Sequence, residues 1–261
     1  MNNRRDMVMR ELGLTPVWRQ RSGNAQAESV AAPSTPILDP PAREDAAAAM
    51  AEAPQPAVMG QLEDRRTTIL RMDWPQLKAA VASCTACGLH TSRNKTVFGV
   101  GDEMASWLFV GEGPGADEDA QGEPFVGQAG KLLDNMLAAI DLNRGSDTYI
   151  ANIVKCRPPK NRNPEPGESA SCEPYLARQI KLIRPRLIVA LGKVAAQNLL
   201  GTDAAIASLR GRLHRYAEIP VVVTYHPAYL LRSLGDKARA WEDLCFARAT
   251  MADLKSANVP R

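Results

Sequence analysis

Long apolar runs are missing from this sequence. None reaches the ~18 residues that a membrane-spanning helix needs, and the first residues, MNNRRDMVMRELGL, lack the apolar core of a signal peptide. We therefore expect a cytoplasmic protein without a membrane contact. Cysteine is scarce as well, because five cysteines in 261 residues are too few for a small secreted disulfide scaffold. In a reducing compartment, cysteines more often bind metals or take part in catalysis.

Residues 25–60 contain no aromatic side chain and are half Ala and Pro. Such a composition buries too little apolar surface to offset the cost of ordering the chain. It predicts a disordered leader over residues 1–63, which is a candidate arm for a protein partner, and a folded domain over residues 64–261. The leader has six arginines, no lysine and eight acidic residues, which give it a net charge of −2. The whole chain has a net charge of +3, so the domain carries +5. A basic domain suits a polyanionic ligand.

Short apolar strands alternate with amphipathic helices in the folded domain. The predicted strands are WLFV (107–110), TYIANIV (148–154), LIVAL (187–191) and IPVVVTY (219–225), with helices between and after them. This alternation is typical of a parallel sheet that is covered by helices on both faces. The sequence therefore predicts an α/β protein, a three-layer α/β/α sandwich around a central parallel sheet.

Three distinctive segments follow the predicted strands. GEGPGADEDAQGEPFVGQAG comes after the first strand, Asn152 with KCRPP closes the second, and HPAYLLR comes after the fourth. Ligands of parallel α/β sheets bind at the carboxyl ends of the strands. We therefore expect these three segments to form one site.

The residues of these segments allow more than one interpretation. GEGPGA matches a dinucleotide-binding pattern, although Pro114 removes an amide donor and Glu112 adds negative charge where a pyrophosphate would lie. A nucleotide-binding enzyme is thus one alternative. Phe125 is either a core aromatic or a stacking platform for a planar ligand. His226, which follows a strand and precedes Pro227, is either a packing residue or a catalytic one.

Four cysteines form a candidate metal site. Cys84 and Cys87 make a chelating turn, while Cys156 and Cys172 lie within KCRPPKNRNPEPGESASC (155–172), whose prolines argue against a long helix or a central strand there. Four thiolates suit either zinc or an iron–sulfur cluster, and one pair with two single cysteines favours the cluster. The fifth cysteine, Cys245, is predicted to be a buried apolar residue of the last helix.

Several long motifs together resemble the family 4 uracil-DNA glycosylases. They are GEGPGADEDAQGEPFVGQAG, ANIVKCRPPKN and HPAYLL, with the spacing C84-x2-C87…C156-x15-C172. The resemblance covers about residues 74–250 and does not extend to the leader. It implies an α/β/α fold, a [4Fe–4S] cluster on the four cysteines, and monofunctional removal of uracil from DNA in base excision repair. A non-catalytic iron–sulfur or zinc DNA-binding subunit is the alternative.

The resemblance also implies a role for each motif. Phe125 would stack on a flipped uracil ring, and the amide of Asn152 would bind N3–H and O4 of uracil. Glu118 would lie near C5, where it would exclude the methyl group of thymine. His226 would donate a hydrogen bond to O2 of the departing base. The family positions near the reacting centre are matched by Glu112, Gly113 and Asn161.

The remaining expectations concern DNA. Arg157 lies in the Pro-rich loop, which would face DNA, and Arg232 is placed to meet a phosphate. Leu230 and Leu231 are candidate wedges for the gap that base flipping leaves, or else they begin a helix and face the core. We expect a monomer that acts at the nucleoid.

Overall fold

The computed structural model describes residues 65–257. The predicted disorder of residues 1–63 and the boundary at residue 64 lie outside the described residues. Within residues 65–257, no helix combines the length and the apolar character that crossing a membrane requires.

One six-stranded sheet organises the described part of the chain. Its strands are β1 (Val100–Gly101), β2 (Trp107–Gly111), β3 (Thr148–Asn152), β4 (Leu187–Leu191), β5 (His214–Tyr216) and β6 (Ile219–Thr224). The order across the sheet is β1-β3-β2-β4-β6-β5. The four inner strands are parallel, as predicted, while β1 and β5 pair antiparallel at the two edges. These edge strands have two and three residues, too few for a pattern that sequence reasoning detects.

Helices cover both faces of the sheet. They are α1 (Trp74–Ala82), α2 (Ala116–Gln121), α3 (Gln128–Ala138), α4 (Pro166–Ile183), α5 (Lys193–Leu200), α6 (Ile206–Leu209), α7 (Pro227–Leu230) and α8 (Lys237–Ser256). Leu108 and Val110 pack on one face in a cluster with residues of α1, α4 and α5. Trp107 and Phe109 pack on the other face with α3 and α8. This alternation along a strand produces two cores, and it confirms the three-layer prediction.

Helix α4 corrects one expectation. It begins at Pro166, so the second half of the stretch 155–172 is helical and Cys172 lies on α4 rather than in a loop. Proline is tolerated at the first position of a helix, where its missing N–H would have no partner inside the helix. The side chain of Glu168 accepts a hydrogen bond from the amide of Glu165 at 2.8 Å and completes the cap.

The strand register brings the predicted segments to one edge. Gly111 pairs with Asn152 at the ends of β2 and β3, and Leu191 pairs with Thr224 at the ends of β4 and β6. Helix α2 follows β2 and α7 follows β6, each after a short turn. The segments after three parallel strands therefore lie side by side.

Candidate active site

A cavity of about 400 Å³ opens at the carboxyl edge of the sheet. Eight residues that the sequence predicted line it together: Glu112, Gly113, Glu118, Phe125, Asn152, Asn161, His226 and Arg232. Asn163 and Tyr229 also line it, and sequence reasoning did not select them. The expectation that three segments form one site thus agrees with the geometry.

Asn152 presents an unused acceptor to this cavity. Its side chain is 2 % exposed, and its Oδ1 has no hydrogen-bond partner within residues 65–257. A buried polar atom without a partner is costly, and it calls for a ligand that donates to it. Gly111 makes room for the amide, because a Cβ there would lie 2.5 Å from Asn152 Oδ1 and 2.6 Å from Phe125 Cζ.

Phe125 and His226 form an aromatic pair beside that amide. Their ring centroids are 5.5 Å apart and their planes differ by 29°. Phe125 has a backbone φ of +55°, a left-handed conformation that is unfavourable for a bulky side chain. Backbone strain of this kind persists only where surrounding contacts hold it. The position of the Phe125 ring is therefore imposed by its neighbours.

His226 is held as a neutral hydrogen-bond donor. Its Nδ1 accepts a hydrogen bond from the amide of Ala228 at 3.1 Å, so the proton of the neutral ring resides on Nε2. Burial lowers the pKa of His226 to about 4, and the positive charge of Arg232 adds to that effect against the opposing charge of Glu118. At neutral pH the ring therefore offers Nε2–H to the cavity without carrying a charge.

Glu118 organises the loop that carries Phe125. Its carboxylate accepts hydrogen bonds from the amides of Gly115, Val126 and Gly127 at 3.0, 2.9 and 3.1 Å. The side chain is 9 % exposed and still lines the cavity. These three charge-assisted bonds fix the backbone at Gly115, Val126 and Gly127. The sequence did not reveal this role of Glu118. Its proposed place near C5 of a base stays a prediction.

Glu112 and Gly113 line the cavity directly after β2. Burial raises the pKa of the Glu112 carboxyl above its ordinary value. A Cβ on residue 113 would lie 2.8 Å from Cγ2 of Val154, so a larger side chain would not fit there without a shift. Glycine at position 113 is thus required by packing against the chain that follows β3.

The Pro-rich loop brings Asn161 to the cavity in a strained turn. Lys160 and Asn161 both have φ of +55°. The guanidinium of Arg157 donates from Nε to Asn161 Oδ1 at 2.7 Å, which orients the amide and leaves its NH₂ group available. Arg157 therefore reaches the site through Asn161 and does not itself line the cavity.

The two leucines of HPAYLLR have different environments. Leu230 is 1 % exposed and packs in the core with α3 and α8. The expectation that Leu230 contacts DNA is therefore wrong, because its side chain points into the protein from the last residue of α7. Leu231 is 42 % exposed and follows α7 directly. Only Leu231 of this pair is available as a wedge, and its contact with DNA stays a prediction.

The four predicted metal ligands surround a second, small cavity. Cys84, Cys87, Cys156 and Cys172 all line it, from the turn after α1, the loop after β3 and helix α4. No group of three or more His, Cys, Asp or Glu side chains within residues 65–257 is arranged to hold a single metal ion. The four cysteines nevertheless line one cavity, although Cys84 and Cys172 lie 88 positions apart in the chain.

Hydrogen-bond donors point at these sulfurs. Arg93 Nη1 lies 3.2 Å from Cys156 Sγ, and the amide of Lys155 lies 3.3 Å from Cys172 Sγ. Burial raises the pKa of Cys156, and it raises the pKa of Cys172 to about 12. Binding of a metal would have to displace the protons of these two thiols. Cys245 is exposed on α8, so the prediction that it is a buried apolar residue is wrong.

Lys155 connects the two cavities, and sequence reasoning missed it. The residue is 1 % exposed, and its Nζ donates to the carbonyl of Asn152 at 2.9 Å and to Oε1 of Gln179 at 2.7 Å. Burial lowers its pKa to about 8, while the nearby Cys172 opposes that shift. A lysine between Asn152 and Cys156 reads as a surface residue in sequence, because burial of an ammonium group is rare.

Comparisons with known proteins agree with this geometry. The family model of the Uracil DNA glycosylase superfamily matches residues 98–245. The Type-4 uracil-DNA glycosylase of Archaeoglobus fulgidus is 48 % identical over 159 residues, 58 % of this chain and 79 % of that protein. The Type-4 uracil-DNA glycosylase of Thermotoga maritima is 45 % identical over 161 residues, 61 % of this chain and 83 % of that protein.

A Type-5 relative is more distant. The Type-5 uracil-DNA glycosylase of Pyrobaculum aerophilum is 32 % identical over 152 residues, 52 % of this chain and 66 % of that protein. Similarity to the Type-4 proteins is thus both closer and more extensive. The chain belongs to the uracil-DNA glycosylase superfamily and, within it, to the Type-4 family.

Proposed function

We propose that this protein removes uracil from DNA by hydrolysis of the N-glycosidic bond, as the first step of base excision repair, and that it leaves an abasic site. The observation that carries this proposal is the buried Oδ1 of Asn152, which lacks a hydrogen-bond partner within residues 65–257 and lies in the cavity beside Phe125 and His226. This cavity supplies an acceptor, an aromatic face and a neutral donor, which together suit a flipped pyrimidine.

Recognition of uracil follows from the amide of Asn152. Its Oδ1 accepts N3–H and its NH₂ group donates to O4 of the flipped base, whereas cytosine presents an acceptor at N3 and a donor at C4. The ring of Phe125 stacks on the base. Glu118 stands near C5 and excludes the methyl group of thymine. The site thus selects uracil by hydrogen bonding and by shape.

Bond cleavage is driven by stabilisation of the leaving base. When the C1′–N1 bond breaks, its electron pair goes to uracil and the sugar becomes cationic. His226 donates Nε2–H to O2, where negative charge develops. A neutral imidazole suits this role. It keeps its Nε2–H at neutral pH, whereas a cationic ring would lose a proton there. Water then adds to C1′ and its proton is taken up, directly or through solvent, by the departing base.

Residues at the mouth of the cavity complete the reacting centre. Glu112 and the NH₂ group of Asn161 lie on the side where water reaches C1′, and they position it. Arg157 orients Asn161 and contributes positive charge to the DNA-facing loop, while Arg232 meets a phosphate and Leu231 fills the gap in the duplex. The positive charge of the domain supports this DNA contact.

The four cysteines bind a [4Fe–4S] cluster in this proposal. The support is chemical, since four sulfurs from three segments line one cavity and N–H groups of Arg93 and Lys155 point at two of them. Cysteine thiolates with such hydrogen bonds are typical ligands of iron–sulfur clusters. A bound cluster supplies iron–thiolate bonds that fasten the loop after β3 to α1 and α4. Catalysis uses the residues of the first cavity.

The setting of the reaction is also part of the proposal. The protein acts as a monomer on DNA of the cytoplasmic nucleoid, and residues 1–63 form an arm for a protein partner. The net charge of that leader is negative, whereas that of the domain is positive. This difference supports a role of the leader away from the DNA.

A glycosylase assay tests the activity directly. Full-length protein is incubated with end-labelled oligonucleotides that carry U:G, U:A or single-stranded uracil, and abasic sites are revealed by alkaline cleavage. We expect strand breaks at uracil and none with the matching thymine oligonucleotide. Binding of DNA without release of free uracil would instead assign the chain to a non-catalytic DNA-binding subunit.

A further inference from the structure

Arg144 holds the backbone of the residue that stacks on the base. It lies in the loop between α3 and β3, outside every motif of the sequence analysis. Its Nη1 donates to the carbonyl of Pro124 and its Nη2 donates to the carbonyl of Phe125, both at 2.8 Å. The planar guanidinium thus forks across two consecutive carbonyl groups, which lysine cannot do.

A carboxylate on α3 orients this guanidinium. Asp134 Oδ1 accepts from Nε of Arg144 at 3.1 Å and from Nη2 at 2.8 Å. The side chain of Arg144 is 24 % exposed and that of Asp134 is 49 % exposed, so water screens these charge-assisted bonds in part. Asp134 therefore fixes the direction of the fork toward Pro124 and Phe125.

The segment that Arg144 holds is strained and is held from its other side as well. Phe125 has the left-handed φ of +55°. Glu118 accepts from the next two amides, those of Val126 and Gly127. The Phe125 carbonyl also packs against α3, since a Cβ on Gly130 would overlap that oxygen. The carbonyls of the turn are thus bound by Arg144 and its amides by Glu118.

We propose that Arg144 is a positioning residue for base excision, which acts through Phe125 by holding its strained backbone so that the ring lies beside Asn152 and His226. The inference rests on the proposed function. Arg144 does not line the cavity, so it contacts neither base nor sugar. Its loss releases the turn toward an ordinary backbone conformation, which moves the aromatic face away from the base.

The first test compares Arg144→Ala with a matched control. Arg248→Ala removes another arginine of a surface ion pair, that with Asp141 at 3.3 Å, away from the site. We expect Arg144→Ala to lower the single-turnover excision rate about 10- to 100-fold, since release of one strained residue corresponds to that range. Arg248→Ala stays within about two-fold of wild type. Guanidinium ion at millimolar concentration should partly restore the excision rate of Arg144→Ala, and ammonium ion at the same concentration should not.

A double-mutant cycle identifies the residue through which Arg144 acts. Phe125→Ala removes the ring, so adding Arg144→Ala to it should cause no further loss of excision. Independent losses that multiply in the double variant would overturn the proposal, because Arg144 would then act by another route. Equal rates of wild type and Arg144→Ala would overturn it as well.

Hydrogen exchange separates this proposal from the proposed function. We expect amides of residues 122–130 to exchange faster in Arg144→Ala than in wild type or Arg248→Ala, with the remaining peptides unchanged. If wild type releases no uracil, the proposed function fails. Faster exchange at residues 122–130 in Arg144→Ala would still establish that Arg144 holds the backbone of Phe125. Unchanged exchange at 122–130 overturns the proposal whatever the activity is.

Discussion

The ring of Phe125 lies over the imidazole of His226, with centroids 5.5 Å apart and planes 29° apart. This contact removes water from one face of the imidazole, and burial lowers the pKa of His226 to about 4. The aromatic ring that is proposed to bind the base thus also contributes to the burial that lowers the pKa of the proposed donor. Base stacking and leaving-group stabilisation therefore depend on one pair of side chains.

The lowered pKa of His226 makes stability depend on pH. Unfolding returns the His226 pKa to about 6.5, so the unfolded chain binds a proton between about pH 6.5 and pH 4 that the folded protein does not. Stability is therefore lost as pH falls through this window. Between about pH 7.5 and pH 5, wild type should lose about 2 kcal/mol more than His226→Gln, which does not titrate. Urea unfolding at both pH values measures the difference, and equal losses would contradict the lowered pKa of His226.

Replacement of Asn152 tests base recognition. Asn152→Asp should slow uracil excision at neutral pH by about 100-fold, because a carboxylate does not donate to O4 and repels the departing anion. The control is Asn198→Asp on α5, where the side-chain amide donates to the carbonyl of Val194 and does not line the cavity. Single-turnover rates on single-stranded uracil DNA measure both variants. An unchanged rate for Asn152→Asp would remove this amide from the base-binding site.

The cysteines predict a coloured protein. Protein purified without oxygen should be brown and absorb broadly near ~400 nm, as iron–sulfide charge transfer does. Cys156→Ser or Cys172→Ser should lower the iron content and the melting temperature, because the proposed cluster would fasten α4 to the loop after β3 through these buried sulfurs. Cys245→Ser, at an exposed position, is the control and should change neither. Colourless protein with one zinc and no iron would refute the cluster.

The two neighbouring leucines should separate DNA opening from folding. Leu231→Ala should slow excision from duplex U:A far more than from single strands, where no base stack has to be broken. Leu230→Ala should instead lower the free energy of unfolding by about 2–4 kcal/mol, since it leaves a cavity in the core. Single-turnover rates on both substrates and urea unfolding measure these effects. Equal rate losses on both substrates for Leu231→Ala would exclude a wedge.

Removal of the leader should leave catalysis intact. A chain that starts at Asp64 keeps Arg65, whose Nη1 donates to the carbonyl of Ser171 at 2.9 Å. Its uracil excision rate should stay within about three-fold of the full chain, because a leader of this composition cannot build part of a packed site. The assay compares both chains at equal concentration. Loss of most activity with an unchanged melting temperature would show that residues 1–63 contribute to the site.

The convergence of the site was predictable from sequence. Parallel strands place the residues that follow them at one edge, so Glu112, Asn152 and His226 had to approach one another once four strands were recognised. The spacing of the cysteines likewise indicated one metal site. These predictions rest on short-range patterns and on a general rule of sheet topology, both of which a single sequence contains.

Other features depend on contacts between distant segments. Which of Leu230 and Leu231 is buried depends on how the four-residue helix α7 packs against α3 and α8. The sequence of a single helical turn is too short to predict this packing. Burial of Lys155 depends on Gln179 from α4, which supplies an acceptor for its ammonium group. Exposure of Cys245 likewise depends on which side of α8 meets the sheet.

The sequence by itself determined the family, the order of the parallel strands along the chain and the side chains that gather at their carboxyl ends. Tertiary structure alone decided how those side chains are held. The left-handed backbone of Phe125 opposes its own local preference, and Arg144 and Glu118 bind it from different loops. Local propensity cannot predict a conformation that long-range hydrogen bonds impose against it.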